Sequence, residues 1–412
     1  NTNIVSMTVI CLMLFMTISV LSGSLSIKSA LDSELVKFTP VDVNLYKPAY
    51  LPESYVNSYT KKTVYYTEEQ IEDSKHPVSY TLETNGYDMN NLKDIIEIPI
   101  YTLPEWTMGY SFGEYIESIK SQYPMLSYEM SEQIIKVSDY NKIAELYGEE
   151  KYTLNDDEYI VLCNYDQMED IRNQTLNTNS NIEIKGKTYH SKYNECKDGF
   201  VYMATSEMNA GIILVPDNFE LKNEDTEQYL LVANYNAETE EGKQEIEKTI
   251  AGSEDTEFFK NIEEKGIDLD GLSKITIIES SKGLATIIIF IAIYLGIIFL
   301  IASSAILALK QLTESSDNKQ RYTILRKIGC DERMINQALF RQIFIFFMMP
   351  LALAMIHSIF GIKFILSMLE VLASPDELLP SIIVTAIIIG VIYGLYFLAT
   401  YFGSKNIIKE EE

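Results

Sequence analysis

Histidine and cysteine are scarce in this chain, and one common nucleotide-binding motif is missing. Its 412 residues include three histidines and four cysteines, and no G-x-x-x-x-G-K-[ST] phosphate loop occurs. The missing loop excludes ATP hydrolysis of the P-loop kind by this polypeptide. His76, His190 and His357 lie far apart in sequence, so neither an H-E-x-x-H motif nor clustered metal-ligand spacing can form. We therefore expect no catalytic residue, metal or cofactor on this chain.

Long apolar runs are abundant instead, and they divide the chain. A helix needs about 20 apolar residues to cross the hydrocarbon layer of a membrane. Four segments meet this length approximately, and we predict transmembrane helices at residues 1–23, 283–309, 343–365 and 378–403. The predicted fold is a membrane protein with four transmembrane α-helices and a large α+β domain, residues 24–282, inserted between the first and second helices.

The first apolar segment is either a true membrane span or a cleavable signal peptide. Ser22 and Ser24 flank Gly23 as in a signal-peptide cleavage site, but the segment lacks a basic leading region, which favours a true span. The chain also starts at Asn1 without an initiator methionine. We therefore expect it to be the C-terminal portion of a longer polypeptide with further helices upstream.

Charge divides the chain at the same boundaries. The net charge is -26, and residues 24–282 account for all of it with 23 basic and 49 acidic side chains. A domain this acidic repels nucleic acid, and its charge favours either solvation by water or the binding of a cationic partner. Seven of the ten basic residues after position 282 lie in the loop 310–342, and short basic loops stay in the cytoplasm. We predict a multi-pass plasma-membrane protein with cytoplasmic N- and C-termini and an extracellular acidic domain.

Within the acidic domain, apolar runs predict strands at residues 156–164, 211–215 and 226–234, and a helix at 237–250. The run EYIVLCNY at 158–165 resembles QYLLVANY at 228–235. Either the domain has two similar halves or both runs converged on the same strand chemistry.

The cysteines allow one disulfide. Cys11 lies in a predicted span and Cys330 in the cytoplasmic loop, so only Cys163 and Cys196 share a compartment that permits a bridge. A domain of this size can also bury enough core without one.

Small residues recur on the last predicted helix. Ala386, Gly390 and Gly394 are spaced by four, which lets helix backbones approach closely. We predict that they pack against a neighbouring helix, although ordinary glycine usage in membranes explains the pattern as well.

The cytoplasmic loop 310–342 is the most informative segment. Ile324 and Ile328 recur at helical spacing, Gly329 suits the residue after a helix, and Asp331 suits the N-cap of a second helix through Met334. Two short amphipathic helices could bind a soluble partner or rest on lipid headgroups.

The same loop resembles a known family. Tyr322 to Gly329, with its ILRKIG core, and the following Met334-Ile335 are similar to the signature of FtsX-like ABC transporter permeases, which we place at residues 283–403. The stretch from Ala308 to Ile362, with NQALFRQ and IHSIFGI, resembles the bacitracin-resistance type of Gram-positive bacteria.

The resemblance implies a non-catalytic permease subunit that pairs with a separate ABC ATPase, as a dimer that holds ATP and magnesium. A sensor histidine kinase and a cationic peptide or lipid-linked cell-wall precursor are further implied partners. The predicted ATPase-coupling residues are Tyr322, Leu325, Arg326, Lys327, Ile328, Gly329 and Met334. Two alternatives stay open: an FtsX-like permease for cell-wall hydrolase regulation or lipoprotein or peptide export, and a membrane-anchored receptor without an ATPase.

Overall fold

The computed structural model describes residues 2–56, 61–178, 180–250, 256–368 and 378–409. The chain divides into two compact units. A helical unit comprises Asn1–Ser33 and Lys282–Glu412, and a sheet unit comprises Glu34–Ser281.

Thirteen α-helices occur in the described ranges: α1 (Thr2–Phe38), α2 (Glu68–Ser74), α3 (Val78–Thr84), α4 (Met108–Ser111), α5 (Ile116–Gln122), α6 (Val137–Tyr147), α7 (Asp166–Leu176), α8 (Glu240–Ile250), α9 (Glu257–Lys265), α10 (Lys274–Asp317), α11 (Lys319–Lys327), α12 (Glu332–Met368) and α13 (Leu378–Ile408). The strands are β1 (Val43–Pro48), β2 (Ser54–Val56), β3 (Thr63–Tyr65), β4 (Leu92–Tyr101), β5 (Gln133–Lys136), β6 (Glu158–Leu162), β7 (Asn181–Ile184), β8 (Lys187–Ser191), β9 (Ile212–Val215), β10 (Thr226–Tyr235) and β11 (Asp270–Ser273).

Four of the described helices are long and apolar enough to cross a membrane, which confirms the predicted number. Their candidate spans are Val5–Ser26, Ile289–Asp317, Glu332–Phe364 and Pro380–Ile408. Helices α1 and α10 extend beyond the predicted 1–23 and 283–309, and each has residues in both units.

The core of the helical unit joins all four long helices. It contains Leu14 of α1, Leu307 of α10, Phe347 of α12 and Tyr393 of α13, and the Tyr393 hydroxyl donates to the Phe347 carbonyl at 2.8 Å. Helix α1 approaches closely at two glycines. A Cβ on Gly296 would lie 2.8 Å from Leu21, and one on Gly361 would lie 2.7 Å from Phe15.

The sheet unit is built on nine strands in the order β11-β1-β10-β4-β5-β9-β6-β8-β7. Side chains alternate between the two faces of a strand, and both faces of this sheet are covered. On β10, Leu230 and Val232 enter one core with α6, while Leu231 and Ala233 enter another with α3, α8 and α9. On β6, Ile160 and Leu162 share the first core, while Val161 faces a third core that includes α7.

Burial on both faces explains why the central strands are continuous apolar runs. The predicted strands at 156–164, 211–215 and 226–234 are confirmed as β6, β9 and β10, and the predicted helix at 237–250 as α8. Strand β10 lies between two antiparallel neighbours, whereas β6 has one parallel and one antiparallel neighbour. The two runs share burial on both faces but differ in their strand neighbours, which favours convergence on the same strand chemistry over repeated halves.

Candidate functional site

The segment between α10 and α12 ends its short helix with a Schellman motif. The amide of Gly329 donates to Arg326 O at 3.0 Å, and that of Cys330 donates to Leu325 O at 3.1 Å. Gly329 has φ +96°, a backbone conformation that favours glycine, and nothing lies within 4 Å of a Cβ built there. Helix α12 starts directly after Asp331, whose carbonyl accepts from the amides of Met334 and Ile335.

We name residues 319–334, which contain all the predicted ATPase-coupling residues, the coupling segment. Its outer surface combines apolar and basic side chains, since Leu325, Lys327, Ile328 and Met334 are all exposed. Exposed apolar side chains beside positive charge are typical of a surface that binds a protein partner. Of the predicted coupling residues, these four and Gly329 face outward.

The other two predicted coupling residues hold the segment in place. The Tyr322 hydroxyl donates to Gln342 Oε1 at 3.3 Å, and Gln342 Nε2 donates to Glu314 Oε1 at 3.3 Å. Arg326 forms an ion pair with Glu332. These contacts join α10, α11 and α12, so a force on α11 has a path to both long helices. Sequence reasoning missed Glu314, Glu332 and Gln342, because no motif separates them from other polar residues near helix ends.

A second group of polar contacts lies in the sheet unit, where α1 ends and α10 begins. Strands β1 and β11 pair antiparallel there, and the Lys274 amide donates to Asp42 O at 2.9 Å. The buried Asp42 carboxylate accepts from Lys243 Nζ at 2.8 Å and from the Tyr235 amide at 2.9 Å. The end of α1 is thereby linked to α8 and β10.

Glu247 of α8 forms the other half of this group. Its buried carboxylate accepts from Tyr235, Ser273 and Thr276, the last at 3.1 Å. Ser273 Oγ also accepts from the Thr276 amide at 3.0 Å, so Ser273 caps α10 and Glu247 adds negative charge at that helix start. Burial, reinforced by the hydrogen bond to Glu247, raises the pKa of Tyr235. We call Asp42, Tyr235, Lys243, Glu247, Ser273 and Thr276 the junction cluster.

The two cysteines of the sheet unit are neighbours. Cys163 and Cys196 are both buried free thiols, and Cys163 Sγ donates to Tyr165 O at 3.8 Å. The nearby Cys196 thiol, together with the positive charge of Arg172, lowers the pKa of Cys163. A bridge between them stays a prediction.

The stripe of small residues on α13 makes no close helix contact at its two glycines within the described chain. Ala386 and Gly390 are exposed, and a Cβ on Gly390 or Gly394 would meet nothing within 4 Å. The buried face of α13 instead carries Thr385 and Tyr393. Packing through the stripe stays a prediction, and close contacts between the described long helices occur at Gly296, Gly361 and Gly403, since a Cβ on Gly403 of α13 would lie 2.9 Å from Leu312 of α10.

Comparison with curated proteins finds that this chain is similar to ABC transporter permeases. It is 27% identical over 186 residues to the bacitracin export permease protein BceB of Bacillus subtilis, and these residues are 44% of this chain. It is 31% identical over 136 residues, 32% of this chain, to BceB of Halalkalibacterium halodurans. It is 30% identical over 80 residues, 19% of this chain, to the ABC transporter permease protein YxdM of Bacillus subtilis.

These matches confirm the resemblance to permeases of the bacitracin-resistance type over part of the chain. They cover 27%, 20% and 13% of the lengths of the three relatives in the order given, so the chain spans about a quarter or less of each. A scan against known protein families found no match.

Proposed function

We propose that this chain is part of the non-catalytic membrane subunit of an ABC transporter, with ATP and magnesium bound by a separate ATPase subunit that acts as a dimer. The coupling segment carries this proposal. Its exposed Leu325, Lys327 and Ile328 offer an apolar and basic surface, and the Tyr322, Gln342 and Glu314 contacts connect that surface to α10 and α12. The permease relatives support the same role.

The sidedness of this proposal follows from charge. The basic coupling segment and both termini lie in the cytoplasm, and the sheet unit, inserted between the first two spans, lies outside the plasma membrane. Nucleotide binding by the ATPase then moves the coupling segment. Helices α1 and α10 carry that motion to the junction cluster, where their ends are linked through Asp42 and Glu247.

We further propose a role in sensing of, or resistance to, antimicrobial peptides. Two of the relatives are named bacitracin export permeases. The acidic sheet unit suits a cationic peptide, free or bound to a lipid-linked cell-wall precursor, and a sensor histidine kinase is the expected signalling partner.

The coupling role can be tested with a charge placed in the exposed apolar surface. In a complex with its ATPase subunit, Leu325→Asp combined with Ile328→Asp should reduce ATPase stimulation at least about tenfold, because buried interface centres tolerate unpaired charge poorly. Gln320→Asp adds an exposed charge to the same helix outside the predicted contact residues and serves as the control. Pull-down of the ATPase and its turnover rate are the measurements. Stimulation that survives in the double variant as in the control would refute the coupling role.

A further inference from the structure

A half-enclosed pocket of about 560 Å³ lies in the sheet unit beneath the loop that leads to β9. Ligand pockets commonly measure about 300–1,000 Å³, so the space admits one or two bulky side chains. Its floor is apolar and buried, formed by Phe200, Met203 and Ile212, with Phe38 and Ile277 beside them. An apolar group that reaches this floor exchanges part of its contact with water for contact with apolar side chains.

Methionines stand at the mouth of the pocket. Met130 is 63% exposed and Met208 is 64% exposed, and both line it together with the half-buried Met108. Methionine is flexible and polarisable, so it adapts to apolar groups of different shape, as promiscuous binding surfaces require. We name this site the methionine-rimmed pocket.

The polar wall of the pocket is held by hydrogen bonds, and its two charges balance each other. Arg172 donates to both carboxylate oxygens of Glu132, at 3.0 and 2.9 Å, and to Ala210 O at 2.7 Å. A Cβ on Gly211 would lie 2.1 Å from the Arg172 guanidinium, so only glycine leaves room for it. Asn209 fixes the loop by donating to Leu162 O and Gly199 O.

The remaining charge on the pocket is negative. Glu227 lines it with an exposed side chain, and no ion pair to Glu227 is found among the described residues. Because the charges of Arg172 and Glu132 cancel, Glu227 and the acidic surface of the sheet unit set the electrostatic potential at the pocket. An anionic ligand is disfavoured, and a cationic one is attracted.

We propose that the methionine-rimmed pocket binds a bulky apolar side chain of a cationic peptide, with Glu227 facing the peptide's positive charge. This inference rests on the proposed role in peptide resistance and assigns that role to particular residues. The apolar floor supplies affinity, the methionines accommodate different side chains, and the carboxylate selects for positive charge.

The test uses the full chain in lipid nanodiscs and a short fluorescein-labelled peptide of lysine and phenylalanine, followed by anisotropy. Met130→Gln with Met208→Gln should weaken binding about tenfold, because apolar contact at the mouth is lost. Met125→Gln is the matched control, since Met125 is 94% exposed and does not line the pocket. A peptide with alanine in place of phenylalanine should bind about tenfold more weakly to the wild type and no longer distinguish the variants.

The charge is tested in the same assay. Glu227→Gln should weaken binding about threefold at low salt, and the difference should shrink as salt rises, because screening removes an exposed charge interaction. Glu224→Gln, an exposed carboxylate outside the pocket, should have no effect.

Three outcomes would overturn the pocket assignment. One is equal binding by the methionine double variant and the Met125→Gln control, and another is wild-type protein that binds neither peptide. The third is a phospholipid that copurifies with the wild type and is lost from the double variant, which would assign the space to an acyl chain. None of these three outcomes bears on ATPase stimulation, which is tested with Leu325 and Ile328. The pocket assignment can therefore be refuted while the coupling role stands.

Discussion

At the scale of single residues, buried ion pairs fix the sheet unit. Arg172 and Glu132 are each 3% exposed at the side chain and meet in a two-point contact. Burial alone would lower the pKa of Arg172, but the adjacent Glu132 raises it above its ordinary value. Lys47 is similarly buried and donates to Asp73 Oδ2 at 2.6 Å. Removing one member of such a pair leaves an uncompensated charge in the interior.

Glu132→Gln should therefore destabilise the sheet unit by about 3–5 kcal/mol, since Arg172 stays buried without its counter-charge. Glu129→Gln removes an exposed carboxylate three positions earlier and should change stability by less than about 0.5 kcal/mol. Pulse proteolysis of the full chain across a urea series measures both. Equal midpoints for the two variants would show that the ion pair contributes no stability.

The helix ends of the coupling segment could be predicted from neighbouring residues, whereas contacts between residues far apart in sequence could not. Gly329 and Asp331 mark a helix end and a helix start within a few residues, and the structure has both. Arg172 and Glu132 are separated by 40 positions. Nothing in the sequence selects this pair from the many carboxylates of the unit. The neighbouring thiols of Cys163 and Cys196 were found because exclusion by compartment left a single pair.

At the scale of elements, the sequence predicted the number of long helices, and two of them, α1 and α10, continue beyond the predicted spans. No proline or glycine interrupts residues 24–38, so α1 continues to Phe38. Packing through the small-residue stripe on α13 stays a prediction, and the close approaches between the described long helices involve Gly296, Gly361 and Gly403. Spacing defines a face of a helix, but it does not identify the element that covers that face.

The junction cluster links two long helices, α1 and α10, and a substitution in the cluster can test this link. Glu247→Gln keeps the shape of the side chain but puts a neutral amide in place of the carboxylate that accepts hydrogen bonds from Tyr235, Ser273 and Thr276. We expect ATPase stimulation by a cationic peptide to fall about tenfold while basal ATPase activity and peptide affinity stay unchanged, because the link to α10 is weakened outside both binding surfaces.

Glu245→Gln in the same helix is the control, since Glu245 is exposed. Titration of ATPase rate against peptide concentration separates a change in maximal rate from a change in affinity. A Glu247→Gln variant with full stimulation would exclude the junction cluster from transmission.

At the scale of the whole molecule, charge is distributed unevenly along the chain. The excess of acidic residues lies between positions 24 and 282, while the coupling segment is basic. The central claim is that these two regions lie on opposite sides of the membrane. Two exposed positions report on them, Met125 in the sheet unit and Ile328 in the coupling segment, which are 94% and 71% exposed.

The direct measurement is labelling of Met125→Cys and Ile328→Cys, each in a Cys330→Ser background, by a membrane-impermeant maleimide. We predict that Met125→Cys reacts in intact cells and that Ile328→Cys reacts only after the membrane is permeabilised. Labelling of Ile328→Cys in intact cells, with Met125→Cys protected until permeabilisation, would contradict the proposed sidedness and with it the coupling of a cytoplasmic ATPase to this chain.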